Sequence, residues 1–328
     1  MYVLNVPVVL FVFKRIDTVI QIINRLRVVQ PKKIYIMSDA GRNEEEKKLV
    51  LDCRKAIELA IDWNCEIIKN YAEKNRGVHA QIGMGAKWVF EREKVAIFLE
   101  DDNLPEVSFF NYCEQCLKKY ESFNKIFWIC GTNYLQKSLP KDGSSVFASR
   151  HLMPCGWASW AEKFNKYYDY DLSLTNNDNW KKILKQKYED KRLYKQQLRN
   201  ICDELNRKNQ GERYRSWDYH TVLSIRMNDL YGIVPCNNQI KNIGVDEFST
   251  HGGTSFNLEM TRRFCGIDSY TMPDNMKLPE EEHLSFEFEK KIGKIILYPF
   301  KARLILNLRE ILGVPQNLRL REYLMGKR

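Results

Sequence analysis

Short apolar runs alternate with segments of helical periodicity through the first hundred residues. The apolar runs fall at 6–13, 33–38, 65–69 and 95–99, and the helical segments at 17–29, 44–62 and 78–91. Runs this short, apolar and rich in β-branched residues are typical of buried strands. Strands that alternate with helices predict a parallel sheet with helices on both faces. In such a sheet, ligands bind beyond the carboxyl ends of the strands.

The second half of the chain is less regular. Strands are predicted at 127–131, 145–149 and 232–236, and helices at 105–120, 179–206 and 216–228. The segment 154–160 combines glycine with two tryptophans and is predicted to be an aromatic turn. The pattern as a whole predicts one α/β domain over residues 1–285, a Rossmann-like and mostly parallel sheet flanked by helices.

Composition adds constraints on location. The chain has 328 residues, of which 44% are hydrophobic and 29% charged, as in ordinary globular proteins. No apolar run approaches the roughly 18–20 residues of a membrane span, and the apolar start lacks the flanks of a signal peptide. Nine cysteines at scattered spacings are expected to be reduced and mostly buried. These features predict a cytoplasmic protein.

The positive charge is concentrated at the end of the chain. The net charge is +10, and residues 290–328 contain ten Lys or Arg against two Glu. This uneven distribution predicts a local basic surface and no nucleic-acid partner. One apolar stripe runs through the same segment: Leu297, Phe300, Leu304, Leu308 and Ile311. The segment 286–328 therefore predicts an interfacial helix on an anionic membrane surface, with a helix packed on the domain as the alternative.

Three consecutive carboxylates, Glu100, Asp101 and Asp102, follow the strand predicted at 95–99. Carboxylates so close together repel one another unless a cation neutralises them. Mg²⁺ and Mn²⁺ prefer oxygen ligands and bridge to diphosphates, so a divalent metal and a nucleotide are expected here. The alternative is a cap for the helix predicted at 105–120, although capping needs only one acid.

Other polar residues follow the remaining strands. Arg15 and Asp17 come after the first strand. Arg15 and Arg76 have the geometry to bind phosphate oxygens, with a solvated surface arginine as the alternative for each. Asp39 follows the second strand, where it could accept hydrogen bonds from a base or a ribose, or form an Asx-turn with Ala40.

Two candidates lie late in the chain. Asp218 stands between Trp217 and Tyr219, which restrict its access to water, as suits a general base. It also begins a helical pattern, so an N-terminal helix position is the alternative. His251 lies in a Thr-His-Gly-Gly segment, and a neutral imidazole is a good ligand for Mn²⁺, with a structural or exposed histidine as the alternative.

The order of these segments resembles that of GT-A glycosyltransferases, in particular the bacterial family 2-type sugar transferases. It is also similar to the N-acetylglucosaminyltransferase that starts complex N-glycans. Residues 99–103 with Phe109 and Phe110 resemble the family's EDD segment, 154–157 its GLGW turn and 216–218 its WDD segment. The resemblance extends over roughly residues 6 to 255.

The resemblance implies a role for each residue at the strand ends. Residues 7–17 resemble the family's first strand and nucleotide-binding turn, and 35–42 its base-contacting strand. Asp102 would bind the metal, Asp101 the ribose, and Glu100 the donor sugar or a phosphate-binding arginine. Asp39 would contact the base, and Arg15 the diphosphate.

The resemblance also implies a mechanism that inverts the anomeric carbon. Asp218 would be the catalytic base, and His251 would match the late histidine that binds the metal in many members. The sequence departs from the family in two places. Tyr219 replaces the second acid after the tryptophan, and the acidic motif is E-D-D rather than the commoner D-x-D, so Asp101 is the alternative metal ligand.

The expected function is metal-dependent transfer of a sugar from a nucleoside diphosphate, UDP by resemblance, to a glycan or lipid-linked glycan in bacterial surface polysaccharide synthesis. The protein is expected to be peripheral on the cytoplasmic face of the inner membrane. Residues 1–104 would bind the nucleotide sugar and 105–285 the acceptor, through Trp157, Trp160 and Trp217. A nucleotidyltransferase that makes nucleotide sugars and a non-catalytic glycan- or membrane-binding protein are the alternatives.

Overall fold

The structure is a computed structural model that describes residues 3–246, 253, 255–281, 284–314, 323 and 325. The strands are β1 Val8–Val12, β2 Lys33–Ser38, β3 Glu66–Tyr71, β4 Val95–Glu100, β5 Asn103–Pro105, β6 Ile126–Cys130, β7 Val146–Ser149, β8 Trp157–Trp160, β9 Tyr231–Pro235 and β10 Ile240–Asn242. The helices are α1 Ile16–Val29, α2 Glu44–Ala60, α3 Val78–Phe90, α4 Ser108–Lys119, α5 Ala161–Tyr167, α6 Trp180–Gln186, α7 Lys191–Asn209, α8 Trp217–Met227, α9 Glu259–Phe264, α10 Phe286–Ile296 and α11 Phe300–Ile311, with a 3₁₀ turn at Ser173–Asn176.

Eight strands form one sheet in the order β3-β2-β1-β4-β8-β6-β9-β7. The first four are mutually parallel, β6 and β9 run in the same direction, and β8 and β7 are antiparallel to their neighbours. A separate two-stranded ribbon pairs β5 with β10. The predicted fold class, a mostly parallel α/β sheet flanked by helices, is confirmed.

The apolar sequence runs explain the centre of the sheet. Every residue of β1 and of β6 is buried, as expected for strands covered on both faces. The main hydrophobic core extends from β1 through β6 and β9 to α10, and it includes side chains from both predicted halves. A smaller core packs α6 and α7 against the rest. The two halves therefore share one sheet.

Two predicted elements differ from the structure. The helix predicted at 179–206 is divided into α6 and α7, because residues 187–190 form a turn and Asp190 caps the new helix by accepting from Arg192 N at 2.8 Å. The segment predicted to be an aromatic turn contains strand β8, which joins β4 to β6. Only Gly156, at φ +61°, has the backbone conformation of a turn.

All nine cysteines are free thiols, and six of them are buried. Among the described residues, no helix combines the length and the apolar character that crossing a bilayer requires.

Candidate functional site at the carboxyl edge of the sheet

The carboxyl ends of β1, β2 and β4 meet at one edge of the sheet, with β1 between the other two. Because the three strands are parallel, the residues that follow them are brought together there. Arg15 begins the helix that follows β1, Asp39 follows β2, and Glu100 ends β4. This edge is the place where the sequence predicted a ligand site.

Arg15 is the electrostatic centre of the site. Its Nη1 lies 3.5 Å from Asp101 Oδ1 and 3.3 Å from Asp102 Oδ2. Its Nη2 lies 3.0 Å from Asp246 Oδ1 and donates to the carbonyl of Gly244 at 3.4 Å. The prediction grouped Arg15 with the acidic run but missed Asp246, which lies 231 residues further along the chain.

Backbone groups and one amide hold the acidic run in place. The backbone N–H of Phe13 donates to Asp101 Oδ2 at 3.0 Å. Asn103 donates to Asp102 Oδ1 at 2.6 Å, and its own Oδ1 accepts from Gly156 N at 2.9 Å. Asn103 was a candidate cap for the helix predicted at 105–120, but that helix begins at Ser108, and Asn103 instead orients one of the carboxylates.

The β5–β10 ribbon brings residues 242–244 over the acidic run. Asn103 pairs with Asn242, and Ile243 N donates to the carbonyl of Asp102 at 2.9 Å. A Cβ atom at Gly244 would overlap the Asp102 carboxylate, so glycine is required for this close approach. Gly244 was also missed, because a glycine of this kind has no local sequence signal.

The site carries more negative charge than Arg15 can neutralise. Burial raises the pKa of Asp101 to about 7, with the charge of Asp102 as the next cause, while Arg15 acts in the opposite direction. Burial likewise raises the pKa values of Asp102 and Glu100. A bound cation would remove this penalty, since an opposite charge favours ionised carboxylates.

The donor set fits a metal that is held partly by substrate. Among the described residues, no three His, Cys, Asp or Glu side chains converge on a point that would hold a metal ion. Mg²⁺ and similar ions need only one or two carboxylates when phosphate oxygens complete the shell. Asp102 and Asp101 are suitable carboxylates beside Arg15, a suitable phosphate partner. The other predicted ligand, His251, lies outside the described residues.

Asp39 organises the loop before α3. Its two carboxylate oxygens accept from Ala40 N, Arg76 N, Gly77 N and the Asn75 amide at 2.8–3.1 Å. An ionised carboxylate has about four acceptor positions, and these four donors occupy them. The structure thus gives Asp39 a loop-positioning function, and contact with a base stays a prediction.

The remaining nucleotide-binding candidates lie nearer the surface. Asp17 is exposed in the first turn of α1, where a negative charge complements the helix dipole. Arg76 is exposed, and its Nη1 donates to Asn70 Oδ1 at 3.2 Å. Neither side chain joins the cluster around Arg15 in the contacts among described residues.

Asp218 lies in the first turn of α8, so its helix N-terminal position is confirmed. Ser216 caps that helix by accepting from Tyr219 N at 3.2 Å, and its hydroxyl also contacts Asp218 Oδ1. Burial raises the pKa of Glu100, and the charges of Asp102, Asp101 and Asp218 add to the effect. Asp218 therefore lies close enough to the acidic run to influence it.

The three tryptophans assigned to the acceptor are core residues. Trp157, Trp160 and Trp217 are 1%, 3% and 5% exposed. The Trp157 ring stacks on Phe98 with centroids 3.9 Å apart and on Trp128 at 4.0 Å. Side chains enclosed in this way have almost no surface to offer a ligand. Their burial disfavours the acceptor assignment, which stays a prediction. Glycine and tryptophan in 154–160 belong to a buried strand and its preceding turn.

A tyrosine-lined cleft of about 810 Å³ lies beside this edge. Tyr71 and Arg76 come from the first four strands and their connections, and Tyr170 and Tyr214 from the segment between α5 and α8. His79 also lines the cleft, and it is 2% exposed with no hydrogen-bond partner for Nε2 among the described residues. Burial, followed by the neighbouring charge of His220, lowers the pKa of His79 to about 3, so the ring is neutral.

The two walls of the cleft are tied together. Arg213 Nη1 donates to the backbone carbonyl of Asn75 at 2.8 Å. The His79 ring packs between Tyr170 and Tyr214, with centroid distances of 4.6 and 4.7 Å. Scattered tyrosines have no periodic signature, so sequence analysis did not find this surface.

No known family model matches the chain, and no curated protein matches its sequence. Its fold is similar to several solved structures. A mannosyltransferase from Pyrobaculum calidifontis, PcManGT, in complex with GDP-Man and Mn²⁺ has 9% identity and a TM-score of 0.38 over 69% of this chain and 70% of that one. A UDP-glucose pyrophosphorylase complexed with UDP-glucose has 10% identity and a TM-score of 0.29 over 49% of this chain and 78% of that one. A 4-diphosphocytidyl-2C-methyl-D-erythritol synthase from Anaerococcus prevotii has 8% identity and a TM-score of 0.30 over 54% of this chain and 83% of that one. Function must therefore be argued from the site.

Proposed function

We propose that the protein is a metal-dependent, inverting glycosyltransferase that moves a sugar from a nucleoside diphosphate, with UDP as the favoured nucleotide, to a hydroxyl group of a glycan or lipid-linked glycan. Synthesis of a bacterial surface polysaccharide is the proposed setting. The observation that carries the proposal is the cluster of Arg15 with Asp101, Asp102 and Asp246 at the carboxyl edge of β1 and β4. A diphosphate and a divalent cation have the charges that this cluster can pair.

The donor would bind across Arg15 and the acidic run. Arg15 would exchange part of its pairing with Asp101 and Asp102 for the diphosphate oxygens, which it can bind in a bidentate manner. Asp102, with Asp101 as the alternative, would hold Mn²⁺ or Mg²⁺, and Asp101 would otherwise accept from the ribose. The bound ion would supply charge stabilisation for the departing diphosphate.

Asp218 would act as the general base. The acceptor hydroxyl transfers its proton to the Asp218 carboxylate as its oxygen forms a bond with the anomeric carbon. The bond between that carbon and the diphosphate oxygen breaks in the same step, and the nucleoside diphosphate leaves. One attack from the opposite face inverts the anomeric centre. The influence of Asp218 on Glu100 supports its proximity to this reaction.

The tyrosine-lined cleft is the proposed acceptor surface in place of the three tryptophans. Aromatic rings pack against the apolar faces of sugars, and the exposed guanidinium of Arg76 can hydrogen-bond to hydroxyl groups. Tyr214 and Asp218 are four residues apart, so their Cα atoms are at most about 14 Å apart. A glycan in the cleft can therefore extend to the proposed base.

The products separate this proposal from the nucleotidyltransferase alternative. We expect that incubation with Mn²⁺ and a panel of nucleotide sugars releases a nucleoside diphosphate, with slow hydrolysis when water is the only acceptor. The measurement is chromatography of the nucleotide products. Formation of a nucleotide sugar and pyrophosphate from a nucleoside triphosphate and a sugar phosphate would instead establish a nucleotidyltransferase. Glycan binding without turnover of any donor would favour the non-catalytic alternative.

A further inference from the structure

Helix α11 exposes an apolar face that none of its own contacts covers. The helix has no buried residue. Five large apolar side chains on the helix and that of Leu312, which follows it, are exposed, from 40% for Leu308 to 79% for Ile311. The six form what we call the α11 face: Phe300, Leu304, Ile305, Leu308, Ile311 and Leu312. A cluster of exposed apolar side chains of this kind marks an interaction site.

Side chains outside the α11 face attach the helix to the protein. Arg199 on α7 donates to Glu310 Oε2 at 2.8 Å and to Asn307 Oδ1 at 3.2 Å. At about 100° per residue, the α11 face covers an arc of about 140° that excludes both Asn307 and Glu310. The apolar side chains of the face remain exposed beside this attachment.

The described segment that contains α11 is positively charged. Residues 290–314 contain six Lys or Arg against Glu310, a net charge of +5. Lys301 is exposed within the helix itself and, at about 100° per residue, lies inside the arc of the α11 face. A long basic side chain within an apolar face can keep its charge in water while its methylene groups cover apolar surface.

We infer that the α11 face docks on the surface of an anionic lipid bilayer. An amphipathic helix with apolar residues on one side and basic residues around it lies in the membrane interface, and anionic lipids attract the basic residues. A second copy of this chain fits less well, because it would bring two positively charged surfaces together. The inference rests on α11 and does not depend on the proposed catalytic activity.

Flotation of the full chain with lipid vesicles tests the inference. We expect binding to vesicles of phosphatidylcholine mixed with phosphatidylglycerol to exceed binding to phosphatidylcholine alone by at least about tenfold. High salt should reduce the difference, since it screens exposed charges. The absence of binding to the mixed vesicles at low salt would overturn the inference.

A pair of double variants tests whether the α11 face makes the contact. Leu304→Ser with Ile311→Ser should lower the vesicle partition coefficient by at least about tenfold, because two large side chains no longer leave water. Leu59→Ser with Leu139→Ser is the matched control, since both leucines are 83% exposed elsewhere, and it should bind like the wild type. Equal binding by the two double variants would overturn the inference.

The same samples distinguish docking on a membrane from docking on a second copy of this chain. A wild-type dimer that becomes a monomer in the Leu304→Ser, Ile311→Ser variant, together with no vesicle binding, would assign the face to a second copy. Light scattering after size-exclusion chromatography measures the oligomeric state. If the protein bound vesicles but turned over no nucleotide sugar, the result would contradict the proposed function and still support membrane docking by the α11 face.

Discussion

The Asp218→Asn variant is expected to lower kcat for sugar transfer by about 10²–10⁴-fold, the usual contribution of a general base. Asparagine keeps the shape of the side chain but cannot take the acceptor proton. Donor binding should change little, because Arg15 and the acidic run remain intact. Initial rates at saturating donor and acceptor give kcat, and titration of the nucleoside diphosphate gives the donor affinity.

A matched control separates this effect from a general loss of charge. Asp178→Asn removes an exposed carboxylate before α6 and should keep the wild-type rate. Asp218 also contacts Ser216 at the start of α8, so the thermal midpoint of each variant is compared with that of the wild type. A well-folded Asp218→Asn protein with kcat within threefold of the wild type, about 0.7 kcal/mol in activation free energy, would exclude Asp218 as the base.

The Trp157→Ala variant is expected to lower the free energy of unfolding by about 3–5 kcal/mol, as removal of a large core side chain does. Trp157 is 1% exposed and stacks between Phe98 and Trp128, so alanine leaves a cavity in the centre of the sheet. Urea denaturation followed by circular dichroism measures the change.

The control is Leu59→Ala, which shortens a side chain that is 83% exposed. A change within about 0.5 kcal/mol is expected there, as for most surface substitutions. If Trp157→Ala kept the wild-type stability and lost only acceptor binding, the tryptophan would belong to the acceptor surface after all.

The first half of the fold could be predicted because its strands are continuous apolar runs. The predicted boundaries of β1 to β4 differ from the observed ones by at most two residues. Parallel topology then places Arg15 and the acidic run at one edge without any knowledge of distant contacts. The strands follow from local apolar runs, and the position of the site follows from the rule that ligands bind at the carboxyl ends of parallel strands.

The second half depends on contacts that no local pattern encodes. Strand β8 is buried on both faces, so Trp157 and Trp160 show no alternation with polar residues and resemble an aromatic loop. Asp246 reaches Arg15 only because the β5–β10 ribbon turns the chain back over the acidic run. The tyrosine-lined cleft likewise combines residues between 71 and 80 with Tyr170 and residues 212–214, which lie at least 90 residues further along the chain.

The most direct test of the central claim is a thermal-shift titration with nucleoside diphosphates and nucleotide sugars, with and without Mn²⁺. A ligand at a hundred times its Kd should stabilise the wild type by about 2.7 kcal/mol. We predict a shift with one nucleotide that requires Mn²⁺, is lost in Asp102→Ala and is kept in Asp178→Ala. A well-folded protein that shows no shift with any nucleotide, or the same shift in Asp102→Ala, would contradict a metal-dependent nucleotide-sugar site at this edge of the sheet.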